Sequence, residues 1–230
     1  MRRMFLLLLS FSFLVLPVRA AYGSKYVALT FDDGPSGKYT RTLLDGLYDR
    51  GAKATFLLCG YRIKDYPDIT QRILEEGHEI GLHGYSHKNM QQLSRRDIAA
   101  ELMDTEALLP EGCRSVFFRP PGGLSSDAVM QVAQARNLAI LHWSVDPHDW
   151  ECSDTEAIEK MVLKTVSDGD IILLHDMSDS SVQAALDIVD ALLKEDYEFV
   201  TVSELARLRG LRPKGGTVYS KFPPHDQQVK

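Results

Sequence analysis

The chain has 230 residues, 44% hydrophobic and 25% charged, the balance of one ordinary globular domain rather than of a disordered, coiled-coil or collagen-like chain. With 26 basic against 32 acidic residues the formal net charge is −6, which lacks the positive surplus that non-specific nucleic-acid binding uses to neutralise phosphates. That balance leaves a neutral or basic partner, and a glycan fits.

The N-terminus differs in kind from the rest. Met1-Arg2-Arg3 is a basic start, Phe5 to Leu16 is a nearly unbroken apolar run, and Pro17-Val18-Arg19-Ala20 ends on small residues. This is the three-part pattern of a secretory signal peptide over residues 1–20, which predicts an exported protein. An uncleaved leader is the one route to a membrane, although the run is shorter than the ~20 apolar residues that a spanning helix needs. Cleavage after Ala20 removes three arginines and leaves 23 basic against 32 acidic residues, a net charge of −9. Cys59, Cys113 and Cys152 are an odd number with no paired C-x-x-C spacing, so at least one thiol stays outside any intramolecular disulfide.

From Lys25 onward short apolar runs alternate with helical patterns. Strands are predicted at Tyr26–Phe31, Ala54–Leu58, Glu79–Gly81, Ser115–Phe118, Leu138–Trp143, Ile171–Leu174 and Phe199–Val202. Helices are predicted at Thr40–Arg50, Pro67–Glu76, Ser94–Leu109, Ser126–Arg136, Asp154–Val166, Ser181–Leu193 and Ser203–Leu208, with Ser94 and Asp97 reading as an N-terminal cap. Strands alternating with helices specify parallel βαβ units, and about seven of them suit a single-domain α/β fold, a distorted (β/α) barrel over residues 21–212. Residues 213–230 are rich in Gly, Pro and polar side chains and read as a flexible tail.

The ionisable clusters fall at the C-terminal ends of the predicted strands, the rim that carries the active site in such barrels. Thr30-Phe31-Asp32-Asp33-Gly34-Pro35 places two carboxylates after a buried strand. That is costly unless a cation neutralises one, although Asp-Asp-Gly-Pro is also a good solvated turn. In His83-Gly84-Tyr85-Ser86-His87 the i, i+4 histidines suit one side of a helical turn, where both reach one ion. With Asp33 they make three protein ligands and leave room for water, the open arrangement of a catalytic metal. Arg119-Pro120-Pro121-Gly122-Gly123 fixes a loop and offers a guanidinium for a carboxylate, and without its neighbours it reads equally as a rigid turn. Asp146-Pro147-His148-Asp149-Trp150 and Ile171-Ile172-Leu173-Leu174-His175-Asp176 complete the rim. There a carboxylate from one strand end is placed to orient the histidine of the next.

Taken in order, these segments resemble the polysaccharide deacetylase family, the NodB-like catalytic domain of carbohydrate esterase family 4, from about Tyr26 to Leu208. The resemblance implies a hydrolase that removes acetyl groups from an N-acetylated polysaccharide such as peptidoglycan or a chitin-like chain, with an O-acetyl xylan esterase as the runner-up. It implies that Asp33, His83 and His87 hold a divalent metal, commonly zinc and sometimes cobalt, nickel or manganese. Asp32 is then the general base, Arg119 orients Asp32, His175 is the general acid, and Asp146 orients His175. The backbone N–H of Gly122 stabilises the oxyanion, while Trp150 and Leu173 line the pocket for the acetyl methyl. Two departures stand out. Gly84 replaces a hydroxyl residue that usually ties the histidine loop, and Gly122 replaces an aromatic that usually walls the groove. His78 and His142 read as structural, and His148 as a loop residue near the substrate. Native metal, polymer and oligomeric state are not fixed by these residues.

Overall fold

The computed structural model describes residues 25–224 and residue 227, so the signal peptide expected at residues 1–20 and the last few positions lie outside the described residues. The strands are β1 (Lys25–Asp32), β2 (Ala54–Leu58), β3 (Glu79–Leu82), β4 (Phe117–Phe118), β5 (Ala139–Leu141), β6 (Ile171–His175), β7 (Tyr197–Phe199) and β8 (Val218–Tyr219). The helices are α1 (Tyr39–Asp49), α2 (Gly60–Asp65), α3 (Pro67–Glu75), α4 (Arg95–Glu106), α5 (Asp127–Ala135), α6 (Thr155–Thr165), α7 (Asp179–Leu193) and α8 (Val202–Leu208). Among the described residues no helix is long and apolar enough to cross a membrane.

All strand pairings are parallel, in the order β6-β1-β2-β3-β4-β5-β8, with β7 also on β1. Just past β5 the chain bridges to β6 at Val145–Ile172, and Leu173 N–H donates to the Val145 carbonyl at 2.9 Å. The sheet thereby curls into the distorted barrel that the alternation of elements predicts.

The period of two along β1 explains the layering. Val27, Leu29 and Phe31 belong to the cluster packed with α1, α3 and α7, whereas Ala28 joins the cluster formed with Leu57, Phe117, Leu141 and Ile171. Thr30 and Asp32 fall in the Ala28 register and meet Arg119 across the barrel. One face of the strand therefore makes core and the other delivers chemistry to the rim. Side-chain caps by Ser94, Ser126, Asp154, Ser178 and Thr201 start α4 to α8, each contributing ~1 kcal/mol.

Two expectations need correction. Residues 213–222 do not form a loose tail: β8 pairs with β5 through Ile140–Val218 and Leu141–Tyr219, and Phe222 is fully buried. That burial contributes ~2 kcal/mol, which outweighs the local bias of the Gly- and Pro-rich stretch. The helix α2, missed because its six residues carry little apolar periodicity, packs between β2 and the histidine loop.

Candidate active site

Strand register brings the predicted residues to one level. Asp32 pairs with His175 across β1 and β6, His83 follows Leu82 at the end of β3, and Arg119 N–H donates to the Leu82 carbonyl at 2.9 Å.

Asp33 sits in the left-handed region (φ 71°). Its Oδ1 lies 3.3 Å from His83 Nε2 and 3.1 Å from His87 Nε2. No well-aligned hydrogen bond reaches this buried oxygen, so the three atoms converge on a common point rather than on one another. An orphaned carboxylate oxygen with two imidazole nitrogens, all within 4.8 Å of one another, fits a divalent cation with a coordination position left open. His83 Nδ1 is 2.8 Å from the Arg119 carbonyl, which fixes the ring and leaves Nε2 for the ion. Burial pushes the Asp33 carboxyl up, but the two imidazoles outweigh it and hold the group well below the usual carboxylate range. Asp33 conversely raises His87.

The histidine pair does not meet on a helical turn, as i, i+4 spacing suggested. Residues 83–87 form a bend, with Gly84 (φ 81°) and His87 (φ 55°) both left-handed. Glu101 of α4 holds that bend. Its carboxylate accepts from Tyr85 N–H at 2.8 Å, Ser86 N–H at 2.7 Å and Ser86 Oγ–H at 2.6 Å. The support that a hydroxyl at position 84 would give thus comes from a helix distant in sequence, which no local signal marks.

Asp32 is buried, and Arg119 Nη1 donates to its Oδ1 at 2.6 Å. Arg119 is itself fully buried and spends its other donors on Thr30 Oγ1 and the carbonyls of Leu141 and His142. A buried guanidinium with its donors engaged holds one geometry, so the Asp32 carboxylate is held too.

His175 is where the sequence reading needs its main correction. The carboxylate that orients it is Asp149: His175 N–H donates to Asp149 Oδ2, and His175 Nδ1 bonds Oδ1, both at 2.8 Å. Asp146 instead accepts from His148 N–H at 2.9 Å and so shapes its own loop. Both carboxylates stand in one short segment, and residue type cannot tell them apart. The deciding feature is His148 (φ 55°), where the chain turns and carries Asp149 inward. Burial lowers the His175 pKa, but Asp149, with smaller help from Asp32 and Asp33, raises it to about 9. The imidazolium therefore persists at neutral pH with Nε2–H free to donate.

Gly122, Trp150, Leu173 and Asp146 all line the cavity that Asp32, Asp33, His83, His87 and His175 share. Trp143, not singled out from the sequence, forms its floor beneath Gly123, where an added Cβ would stand 2.6 Å from the indole. His78 is structural: its Nδ1 accepts from Ala54 N–H at 3.1 Å, and burial with nearby Lys53 and Arg72 lowers its pKa to about 4. Behind the metal turn, fully buried Asp176 bonds Thr40 and is raised to about 6 by burial.

A parallel α/β barrel with an Asp-His-His group that could hold a cation, beside a second, arginine-held carboxylate, is the arrangement of a hydrolase. A profile described as polysaccharide deacetylase matches residues 19–141, and the chain belongs to that family. It is 38% identical over 191 residues to a peptidoglycan-N-acetylglucosamine deacetylase of Bacillus cereus, covering 80% of this chain and 90% of that one. It is 35% identical over 191 residues to the longer peptidoglycan-N-acetylmuramic acid deacetylase PdaC of Bacillus subtilis, of which it spans 40%. Among solved structures, a family 4 acetyl xylan esterase from Clostridium thermocellum in complex with a cobalt ion matches with a TM-score of 0.80 and 35% identity, over 86% of this chain and all of that one.

Proposed function

We propose that the protein is an exported, metal-dependent deacetylase that hydrolyses the acetamide of N-acetylglucosamine units in a cell-wall or chitin-like polysaccharide. The observation that carries this is the meeting of Asp33, His83 and His87 around one point, with Asp32 held beside them and His175 on the wall of the same cavity. Similarity to the Bacillus cereus enzyme supports the substrate class, and the leader at residues 1–20 supports export.

Asp33, His83 and His87 would hold a divalent ion, zinc by the chemistry of one carboxylate and two imidazoles. When bound, that ion lowers the pKa of a water and polarises the acetyl carbonyl. Asp32 takes the proton of the attacking water, and Arg119 keeps it aimed and ionised. Gly122 lines the same cavity, and its N–H stabilises the developing oxyanion. His175 gives its proton to the departing sugar nitrogen and takes one back from solvent, and the Asp149 carboxylate on Nδ1 favours the recharged imidazolium. Trp150 and Leu173 supply an apolar seat for the methyl group.

Likeness to an acetyl xylan esterase favours one second reading, O-deacetylation of xylan. Acetate release from peptidoglycan fragments, chitooligosaccharides and acetylxylan, assayed side by side with zinc or cobalt, decides between them. Release from acetylxylan alone, or from none, removes the leading proposal.

A further inference from the structure

The ladder between β1 and β6 runs out at Asp32 and His175, the last pair in register. Asp33 and Asp176 follow directly, beyond the paired residues. Asp33 brings the candidate ligand oxygen and His175 the proton donor, so the joint between the two strand ends decides how these groups stand to each other.

Asp176 makes that joint. Its backbone carbonyl accepts from Ser36 Oγ–H at 2.8 Å, and its carboxylate accepts from Thr40 Oγ–H. Thr40 Oγ1 in turn accepts from Ser36 N–H at 2.7 Å. All three residues are buried, so their polar groups close on one another just after the turn that carries Asp33. The Asp176 carboxylate also lies directly against Gly34. An added Cβ there would stand 2.6 Å from Oδ1 and 2.8 Å from Oδ2, so only a glycine lets the two approach. From the other side the Gly34 carbonyl accepts from Cys59 N–H at 3.1 Å, at the end of β2.

The Asp176 side chain is a costly way to fill this space. It is fully buried, and its Oδ1 has no hydrogen-bond donor. It does not line the reaction cavity, so any effect on the site passes through the turn. We propose that Asp176 is a positioning residue: by packing on Gly34 and bonding Ser36 and Thr40, it sets where Asp33 stands beside His83 and His87. The proposal rests on the cation site in the deacetylase reading above.

Zinc affinity is measured by competition with a chelating dye, on wild-type protein and on Asp176→Ala and Asp176→Asn. Circular dichroism checks each fold, and urea unfolding of the metal-free forms runs alongside. Asp176→Ala should bind zinc about tenfold more weakly, the scale of losses at outer-shell partners. Asp176→Asn keeps the shape and the acceptor for Thr40 and should stay within about threefold of wild type. A purely structural role would lower the urea midpoint and leave the zinc affinity of the folded protein unmoved. Gly34→Ala, which drives a methyl group into the carboxylate, takes the place of Asp176→Ala if that variant does not fold, with the same loss of about tenfold expected. Wild-type zinc affinity in the variant measured overturns the proposal, and so does Asp176→Asn falling as far as Asp176→Ala. Zinc binding by the wild type without acetate from any N-acetylglucosamine glycan removes the deacetylase reading and leaves the positioning role to the variants. A wild type that binds no zinc ends both.

Discussion

The two ends of the barrel treat a buried carboxylate in opposite ways. At the N-terminal end, Glu79 accepts from Thr55 Oγ–H at 2.9 Å and Ser203 N–H at 3.0 Å, with Ser203 Oγ–H on its other oxygen. Burial raises its pKa and these donors oppose the rise. At the C-terminal end, Asp33 has a buried oxygen with no aligned donor, although two imidazoles stand close by. The first group is complete and ties β2, β3 and α8 together. The second has no such donor on its buried oxygen, which suits the cation proposed for it. Between these two carboxylates the difference is the saturation of the buried acceptor.

The contrast is sharpest at Asp32. Asp32→Asn keeps an acceptor for Arg119 but removes the base, so kcat for acetate release should fall by about 10²–10⁴ with the fold retained by circular dichroism. A variant that keeps full turnover breaks the assignment.

Next in size are the two carboxylates of the β5–α6 loop. Asp149→Asn withdraws the charge that raises His175, so its pKa drops. Activity that depends on the imidazolium should then decline from a lower pH, and kcat at neutral pH should fall at least about tenfold. Asp146→Asn should leave the alkaline limb in place. A pH–rate series on both variants checks the pair, and equal shifts would contradict the geometry.

Glu101→Gln weakens the clamp on the histidine bend. Metal affinity should fall about tenfold, read by competition with a chelating dye, as for other outer-shell partners of ligating histidines. The smallest catalytic effect belongs to the opposite end. Glu79→Ala should cost about 1–3 kcal/mol in urea unfolding, through the unpaired Thr55 and Ser203 groups, and leave kcat unchanged. A loss of turnover there would mean that the two ends are coupled.

Much of this was legible in the residues. Strand–helix alternation specified the barrel, and the segments at strand ends specified the rim, because both follow from local periodicity and from parallel topology. The family resemblance, once the chain reached Asp32-Asp33 and His83/His87, named three residues that the structure brings together. What stayed hidden depended on tertiary direction. Asp149 and Asp146 are alike in type and close in sequence, and a left-handed residue between them chooses which one faces His175. Glu101 reaches the histidine bend from α4, fifteen residues past Ser86, with no motif to announce it. The strand β8 is too short and too polar in context to stand out, and only its pairing with β5 makes it a strand.

That late strand bears on where the catalytic unit ends. The Phe222 N–H and Gly169 carbonyl join at 2.8 Å, and a Cβ on Gly169 would stand 2.2 Å from the Phe222 carbonyl, so this crossing is tightly fitted. It lies directly before β6, the strand that presents His175. A protein shortened at residue 212 would expose the seam beside β5 and loosen the footing of the strand that carries His175. Trimming for crystallisation or fusion should therefore stop no earlier than Phe222.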